Sequence, residues 1–330
     1  MKHFLNYIIL LVLFVNCNGC SSNDDNIENP GKGGYLFAHM KDADYGGFYY
    51  SVSEDGINWT TLNSGSKINE YRGHPDFCLG RDGRYYMIGI EAGTGQPLLW
   101  ETRNLIGWGV EKQIPKSAFD LSALGHSTEQ VWYGAPKMYY DKDSDQYIIT
   151  WHAAKEGLTT NGNEEHDKPY WRSIRTFYIL TSDFKTYTEP KRLFNFTGEH
   201  EDMPTMDAII RKIDGKYYSF IKDERWPEDI SEGSKAIRMT KADNLTGPYE
   251  NPGAAITTNW REAQTLVPKP ENNGWYLFVE HYPLEYDLYE ASSIEGPWTH
   301  KEIKSPDARH GSMIWVDGAT YQAIVRAYKN

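Results

Sequence analysis

Cysteine is scarce in this chain. Three occur in 330 residues, and two of them, Cys17 and Cys20, fall within the first twenty. No intradomain disulfide is therefore expected, and Cys78, inside the apolar run Phe77-Cys78-Leu79, reads as a packed core residue rather than a nucleophile. Positive charge is also short: 34 Lys and Arg against 46 Asp and Glu give a net charge of −12. No Lys/Arg run appears, which argues against a nucleic-acid partner. The N-terminal apolar run, Tyr7–Val15, covers nine residues and is too short to cross a bilayer as a helix. His-Glu-x-x-His and clustered Cys/His spacings are missing, so a zinc site is not expected.

Aromatic residues are plentiful, at 14%, and they are placed with regularity. Five phrases each run from an apolar-alternating strand through an Asp/Asn/Ser/Gly turn to a Trp or Tyr. They are Tyr49–Trp59, Leu98–Trp108, Phe177–Tyr187, Ile237–Tyr249 and Leu288–Trp298. Self-similarity at this scale sets architecture before any local preference does. Five copies of one strand unit predict an all-β, five-bladed β-propeller. Most of these aromatics are read as strand packing.

A Tyr-rich or Trp-rich strand lies upstream of each phrase: YLFAHM (35–40), YYMIGI (85–90), YIITWHA (147–153), YYSFIK (217–222) and WYLFVEHY (275–282). Four of these follow a turn and another strand. The fifth such strand, HGSMIWVDG (310–318), lies at the far end of the chain, so the last blade is expected to combine both termini and close the ring without a free edge.

The first residues of each blade's first strand should ring one end of the axial channel. They are His74-Pro75-Asp76, Gly134-Ala135-Pro136-Lys137, Asp207, Glu262 and Arg309-His310. Carboxylates and histidines facing one hole are costly to bury and point to a site. Two excursions, Ala154–Trp171 and Asp223–Lys235, are long enough to act as lids, or are solvated polar loops. Trp151, His152, Trp171, Trp226, His281 and Tyr282 are candidates for either packing or ligand contact. Arg238 is expected in an outer-strand ion pair rather than with Asp207 or Glu262.

The N-terminus has the features of a secretory leader: Lys2 and His3, the apolar run, then Gly19-Cys20 and the polar stretch Ser21–Asp25. It resembles a bacterial lipoprotein signal, which implies cleavage after residue 19 and acylation of Cys20. The acidic start CSSNDDN resembles the export signal of surface lipoproteins in glycan-degrading Gram-negative bacteria; an ordinary secreted protein is the alternative. The expected organisation is a signal over 1–19, a tether over 20–33 that links the outer membrane to the domain, and a catalytic propeller over 34–330.

Four strand motifs carry a second resemblance. Gly134-Ala135-Pro136-Lys137, Met206-Asp207-Ala208-Ile209-Ile210, Arg261-Glu262-Ala263-Gln264 and Arg309-His310-Gly311-Ser312, in this order along the chain, resemble glycoside hydrolase family 43 and its five-bladed relatives. The resemblance implies an inverting, exo-acting glycosidase that releases a terminal arabinofuranose, xylose or galactose from a complex glycan. Glu262 would be the general acid and Asp207 the neighbouring carboxylate that raises its pKa. Where the family has its base Asp, this sequence has His74. Either His74 or Asp76, one period-two step further along, is then the base candidate. His310, Arg309, Trp151, His152, Trp171 and Trp226 are substrate-contact candidates. No cofactor is expected to be required, although the resemblance allows a structural calcium near His310. A monomer acting on an oligosaccharide or polysaccharide is expected. With the base position altered, a non-catalytic glycan-binding propeller, or a different glycan cleavage using His74, stays open.

Overall fold

The turn chemistry of the repeats builds the outer part of each blade. Asp55 Oδ1 accepts from the backbone of Ile57 and Asn58 at 2.8 Å, while Ser53 Oγ accepts from Gly56. Asn104 with Thr102 and Asp183 with Thr181 repeat the arrangement in the next two blades. Short polar side chains that bond their own backbone two or three residues on fix such turns. The turn then delivers the closing aromatic.

The computed structural model describes residues 33–128, 134–283 and 285–329. The expected leader, Cys20 and nearly all of the tether lie outside these residues. Among the described residues no helix is long and apolar enough to cross a membrane.

Five antiparallel sheets surround one axis. Blade 1 takes its inner strand from the C-terminal end: Arg309–Val316 pairs with Gly34–Lys41, with Tyr35 opposite Trp315, and Asp44–Ser53 and Thr60–Thr61 follow outward. The expected closure by both chain ends is thus present. Blade 2 runs outward from Cys78–Leu79 through Tyr85–Ile90 and Pro97–Thr102 to Gly109–Gln113. Blade 3 comprises Lys137–Asp141, Gln146–Ala153, Arg175–Thr181 and Lys191–Arg192. Blade 4 has three strands, Thr205–Ile213, Lys216–Asp223 and Ala236–Ala242. Blade 5 runs from Arg261–Pro268 through Trp275–His281 and Glu285–Ala291 to Thr299–Lys301.

The strands are apolar on both faces because each blade is packed on both sides. Ile148 faces blade 4 while its neighbour Ile149 faces blade 2; Ile210 faces blade 3 while Ile209 faces blade 5. Each closing aromatic enters a different interblade cluster, always against the preceding blade: Trp59 between blades 5 and 1, Trp108 between 1 and 2, then Tyr187, Tyr249 and Trp298 in turn. The repeat is therefore a wedge that sets the spacing between blades. Burying one such side chain contributes roughly 1.5–3 kcal/mol.

Hydrogen bonds between neighbouring blades close the ring. Phe77 N donates to Ser312 Oγ (3.4 Å), Met138 N to Asp76 Oδ2 (2.9 Å), Thr150 Oγ1 to Ala208 O (3.0 Å), Gln264 Nε2 to Asp207 O (2.6 Å) and Met313 N to Thr265 Oγ1 (3.0 Å). Gly311 makes the blade 1 contact possible, since a Cβ there would lie 2.2 Å from Ala38 O.

Two helices were not expected from the sequence. Helix α1 (Glu164–Ser173) lies within the first excursion and is capped by Asn163, whose side chain accepts from His166 N. Helix α2 (Gly318–Ala327) is capped by Asp317 and packs Tyr321 and Ile324 into the cluster between blades 1 and 2.

Candidate active site

Irregular backbone puts the central carboxylates in place. The inner strand of blade 4 loses register between Met206 and Ile209, and that of blade 5 between Glu262 and Thr265. Within these bulges Asp207 has φ 50° and Ala263 has φ 49°. Left-handed conformations at non-glycine residues cost on the order of 1–3 kcal/mol each, and they persist where surrounding structure enforces them. Here the enforcement is mutual: Ala263 N donates to Asp207 Oδ2 at 3.1 Å. On blade 2, Gly73 at φ 152° brings in His74, in a position where a Cβ would clash with the Tyr71 hydroxyl at 2.6 Å.

A pit of about 640 Å³ opens over these residues. All five blades contribute to its wall: Tyr45 and His310 from blade 1, His74 from blade 2, His152 and Trp171 from blade 3, Lys222, Glu224, Trp226 and Lys235 from blade 4, and Trp260, Glu262 and Tyr282 from blade 5. The two excursions are joined into one rim. Arg172 of α1 binds Glu228 and Asp229 at 3.0 and 2.9 Å, and Lys168 binds Glu228 at 2.9 Å.

His310 organises the charges. Its Nδ1 lies 2.8 Å from Glu280 Oε2, which also accepts from the His310 backbone N–H. Its Nε2 lies 3.6 Å from both Asp207 Oδ2 and Glu262 Oε1. Burial opposes the charged form of His310, but the carboxylates of Glu280, Glu262 and Asp207 together raise its pKa well above the ordinary histidine range. The site thus favours its charged form. Burial would push Asp207 up, yet His310, His152 and Lys137 hold its carboxyl well below the usual range. Glu280 is likewise lowered against its burial by His310 and Arg309. Burial, His310 and Lys137 depress His74 well below its ordinary value, and burial brings His152 to about 4. The His74 ring stacks on His310 with centroids 4.9 Å apart, and Tyr45 meets both edge-on.

Glu262 is raised, chiefly by burial, while Lys222 and His310 pull the other way and Glu280 and Asp207 add smaller upward contributions. The expected direction is present, but its cause differs from the expectation: Asp207 is a lesser contributor. Lys222 Nζ donates to Glu262 Oε2 at 2.6 Å and lies 2.9 Å from Glu224 Oε2, and Glu224 also pairs with Lys235.

Of the residues expected at the site, His74, His152, Trp171, Trp226, Glu262 and His310 face the pit, with Asp207 directly behind His310 and Glu262. Tyr282 also faces it. Four candidates lie elsewhere, and the first, His281 at the end of the second strand of blade 5, does not line the pit. Asp76 is buried with its carboxylate on Met138 N, as the link between blades 2 and 3. Trp151 packs on Phe119 and Phe177 in the core between those blades. Arg309 pairs with Glu280 and Asp42 and sits 5.6 Å from the Tyr45 ring, so it supports the wall without lining it. Arg238 pairs with Asp223 on the outer strand of blade 4, as expected.

Sequence reasoning missed Lys222, Glu280, Glu224, Lys235, Tyr45 and Trp260. A signal existed for two of them. Lys222 and Glu280 occupy the same repeat position as His152, the sixth residue of the second strand, where each interrupts an apolar run.

One ligand atom each of Asp207, Glu262 and His310 lies within 4.8 Å of the others. Calcium takes six to eight oxygen ligands. This trio supplies two carboxylates, one already held by Lys222, and an imidazole nitrogen. With so few oxygen donors and one of them paired with a lysine, the donor set fits a calcium ion poorly.

Residues 76–322 match a family model described as a probable glycosyl hydrolase domain and related to glycoside hydrolase family 43. An alpha-L-arabinofuranosidase of Bifidobacterium longum subsp. longum is 29% identical over 143 residues, 41% of this chain, and the match spans 13% of that relative's length. Among solved structures, an alpha-L-arabinofuranosidase from Fusarium graminearum in complex with an iminosugar inhibitor aligns with a TM-score of 0.51 at 12% identity, over 84% of this chain and 80% of that one. The native arabinanase of Bacillus subtilis aligns with a TM-score of 0.49 at 15% identity, over 74% of this chain and 80% of its own.

Proposed function

The chain belongs to the probable glycosyl hydrolase family related to family 43, and from that premise we propose that it is an inverting, exo-acting glycosidase in which Glu262 is the general acid. The observation that carries this reading is Glu262 itself: a buried carboxyl of raised pKa at the floor of a pit. A proton donor to a glycosidic oxygen must be protonated when the bond breaks, and burial shifts Glu262 in that direction. Residues from all five blades ring the pit, which suits one terminal sugar better than a chain threading across the face. The aromatic faces of Trp171, Trp226, Trp260 and Tyr282 would bound that sugar.

His74 faces the same pit, and burial, His310 and Lys137 lower its pKa, which favours the unprotonated ring that a proton acceptor for an attacking water needs. Asp207 stays ionised and keeps His310 charged beneath the reacting centre. The sugars implied by the relatives are arabinofuranose, with xylose and galactose as the neighbouring choices. Incubation with a panel of aryl furanosides and pyranosides, together with arabino- and galacto-oligosaccharides, tests the reading. Release of a single terminal sugar with inverted anomeric configuration supports it. Retention of configuration, or cleavage inside a chain, refutes it.

The N-terminal motif supports a lipid anchor at Cys20 and an outer-membrane surface location. Membrane fractionation of wild type and Cys20→Ala tests this; a variant that stays membrane-bound refutes it.

A further inference from the structure

The blade 4 side of the pit holds more positive charge than the reaction requires. The side chains of Lys222, Glu224 and Lys235 are only 3%, 4% and 3% exposed, yet all three line the pit. Lys222 bridges Glu262 and Glu224, Lys235 pairs with Glu224, and the Lys235 ammonium lies 3.8 Å from the Trp226 ring centroid and 5.8 Å from that of Trp260. The face of Tyr282 lies 4.4 Å from Lys222 Nζ. Two ammonium groups share one dedicated carboxylate. The second positive charge is balanced only while Glu262 is ionised.

That balance conflicts with acid catalysis. To donate a proton Glu262 must be neutral, and the wall then keeps one uncompensated cation in a dry site, which is unfavourable. The other groups facing Glu262 do not relieve this. His310 adds a further positive charge, Asp207 and Glu280 are engaged with it, and Tyr45 and Tyr282 are neutral phenols whose pKa values lie above their ordinary value. A ligand that brings its own negative charge to Lys222 and Lys235 would restore neutrality with Glu262 protonated.

We propose that the pit takes a sugar bearing an anionic substituent, a carboxylate or a sulfate ester, which pairs with Lys222 and Lys235 and frees Glu262 to take up a proton. The proposal rests on the glycosidase reading of Glu262 and narrows its substrate class. The step is a proton uptake from solvent coupled to binding: the Lys222–Glu262 ion pair opens, the ligand anion takes the place of the Glu262 carboxylate, and the proton stays on Glu262. The Trp226 and Trp260 faces bound the same wall and offer the stacking surface for the ring that carries the anion.

Calorimetry on the full chain tests this without requiring turnover. The probes are methyl glucuronide and methyl galacturonide, a methyl hexoside 6-sulfate, and the matching neutral methyl glucoside and galactoside. Each is titrated at pH 6 in two buffers of different ionisation enthalpy. At least one anionic class is expected to bind ten- to a hundredfold tighter than its neutral counterpart, the scale of a charge-assisted hydrogen bond. It is also expected to take up close to one proton and to weaken with added salt. Preference for the uronides or for the sulfate identifies the source of the anion. Lys235→Gln should abolish the preference and Lys235→Arg should keep it. If Lys235→Gln does not fold, proton uptake and salt dependence of the wild type still decide. Equal binding of anionic and neutral sugars, or anionic binding without proton uptake, overturns the proposal. Cleavage of neutral furanosides alongside such a result leaves the glycosidase reading standing. Anion preference with proton uptake but no cleavage of any glycoside sinks that reading and keeps the anion site.

Discussion

Glu262→Gln isolates the proton. The two side chains have the same shape, and the amide oxygen can still accept from Lys222, which now donates to Glu262 at 2.6 Å. Lys222 keeps Glu224 as a counter-charge at 2.9 Å but shares it with Lys235, so the substitution leaves one positive charge of the pair unbalanced. The stability cost should be about 3–5 kcal/mol, the scale for removing one partner of a buried ion pair, against the roughly 5–15 kcal/mol that holds a typical domain folded. The protein should therefore purify folded. What it loses is the ability to protonate a departing oxygen. General acid catalysis contributes roughly 10²–10⁴ in rate, or about 3–5 kcal/mol of barrier.

The dependence on leaving group gives the sharper test. A nitrophenolate leaves without a proton, so aryl glycosides with acidic phenols should be hydrolysed by Glu262→Gln at close to the wild-type rate. Unactivated oligosaccharides should show the full loss. The wild-type rate should fall as pH rises through the Glu262 pKa, which burial places above the ordinary glutamate range, and this alkaline limb should vanish in Glu262→Gln with activated substrates. A loss of equal size across all leaving groups would mean that Glu262 holds substrate rather than donating a proton. No loss with any substrate would remove it from the chemistry altogether.

His74→Ala should abolish turnover while retaining sugar binding by tryptophan fluorescence. Asp76→Ala should keep turnover and lower stability by about 1–3 kcal/mol in urea titrations, because it opens the link to Met138; the reverse pattern would reinstate Asp76 as the base. His39 and His152 both have pKa values lowered to about 4 from 6.5. The unfolded chain then binds more protons between these values, so stability present above pH 6.5 is lost as pH falls toward 4. Each residue contributes about 3 kcal/mol over that window, and thermal midpoints that are flat from pH 7 to 4 would contradict it. Arg172→Ala cuts the exposed ion pairs that join the two excursions. It should change stability by less than about 1 kcal/mol while raising KM more than it lowers kcat, and an unchanged KM would show that the rim does not shape the pit.

The sequence made the architecture legible because the repeat is the architecture. Each closing aromatic is the wedge of one interblade cluster, and Asp55, Asn104 and Asp183 fix the turn before it, so period and turn chemistry agree without tertiary information. The helices α1 and α2 were not legible in that way. Helix α1 carries Pro169 internally and has Trp171 and Tyr170 where a lid loop was expected, and its order comes from Arg172 and Lys168 binding the other excursion.

At the site, strand openings predicted which residues converge, since the first residue of an inner strand must face the axis. Period two then failed at Asp76 for a physical reason. Its carboxylate meets an unpaired backbone N–H on the neighbouring blade, and a buried donor left without a partner costs more than a carboxylate turned aside. The larger omission was charge. Counting inner-strand residues gave Asp207, Glu262, His74 and His310, a set that cannot be buried as it stands. The compensating groups Lys222 and Glu280 come from the second strands, opposite Met206 and Glu262 in register. A buried charge in an apolar wall requires an opposite charge within reach, and here it crosses from one blade to the next: Lys222 of blade 4 meets Glu262 of blade 5, and Glu280 of blade 5 meets His310 of blade 1. In WYLFVEHY and YYSFIK the charged sixth residue was visible. It gains meaning only when the inner strand of the next blade is seen to carry the opposite charge, and for that reason the electrostatics of this pit are a property of adjacent blades rather than of any single motif.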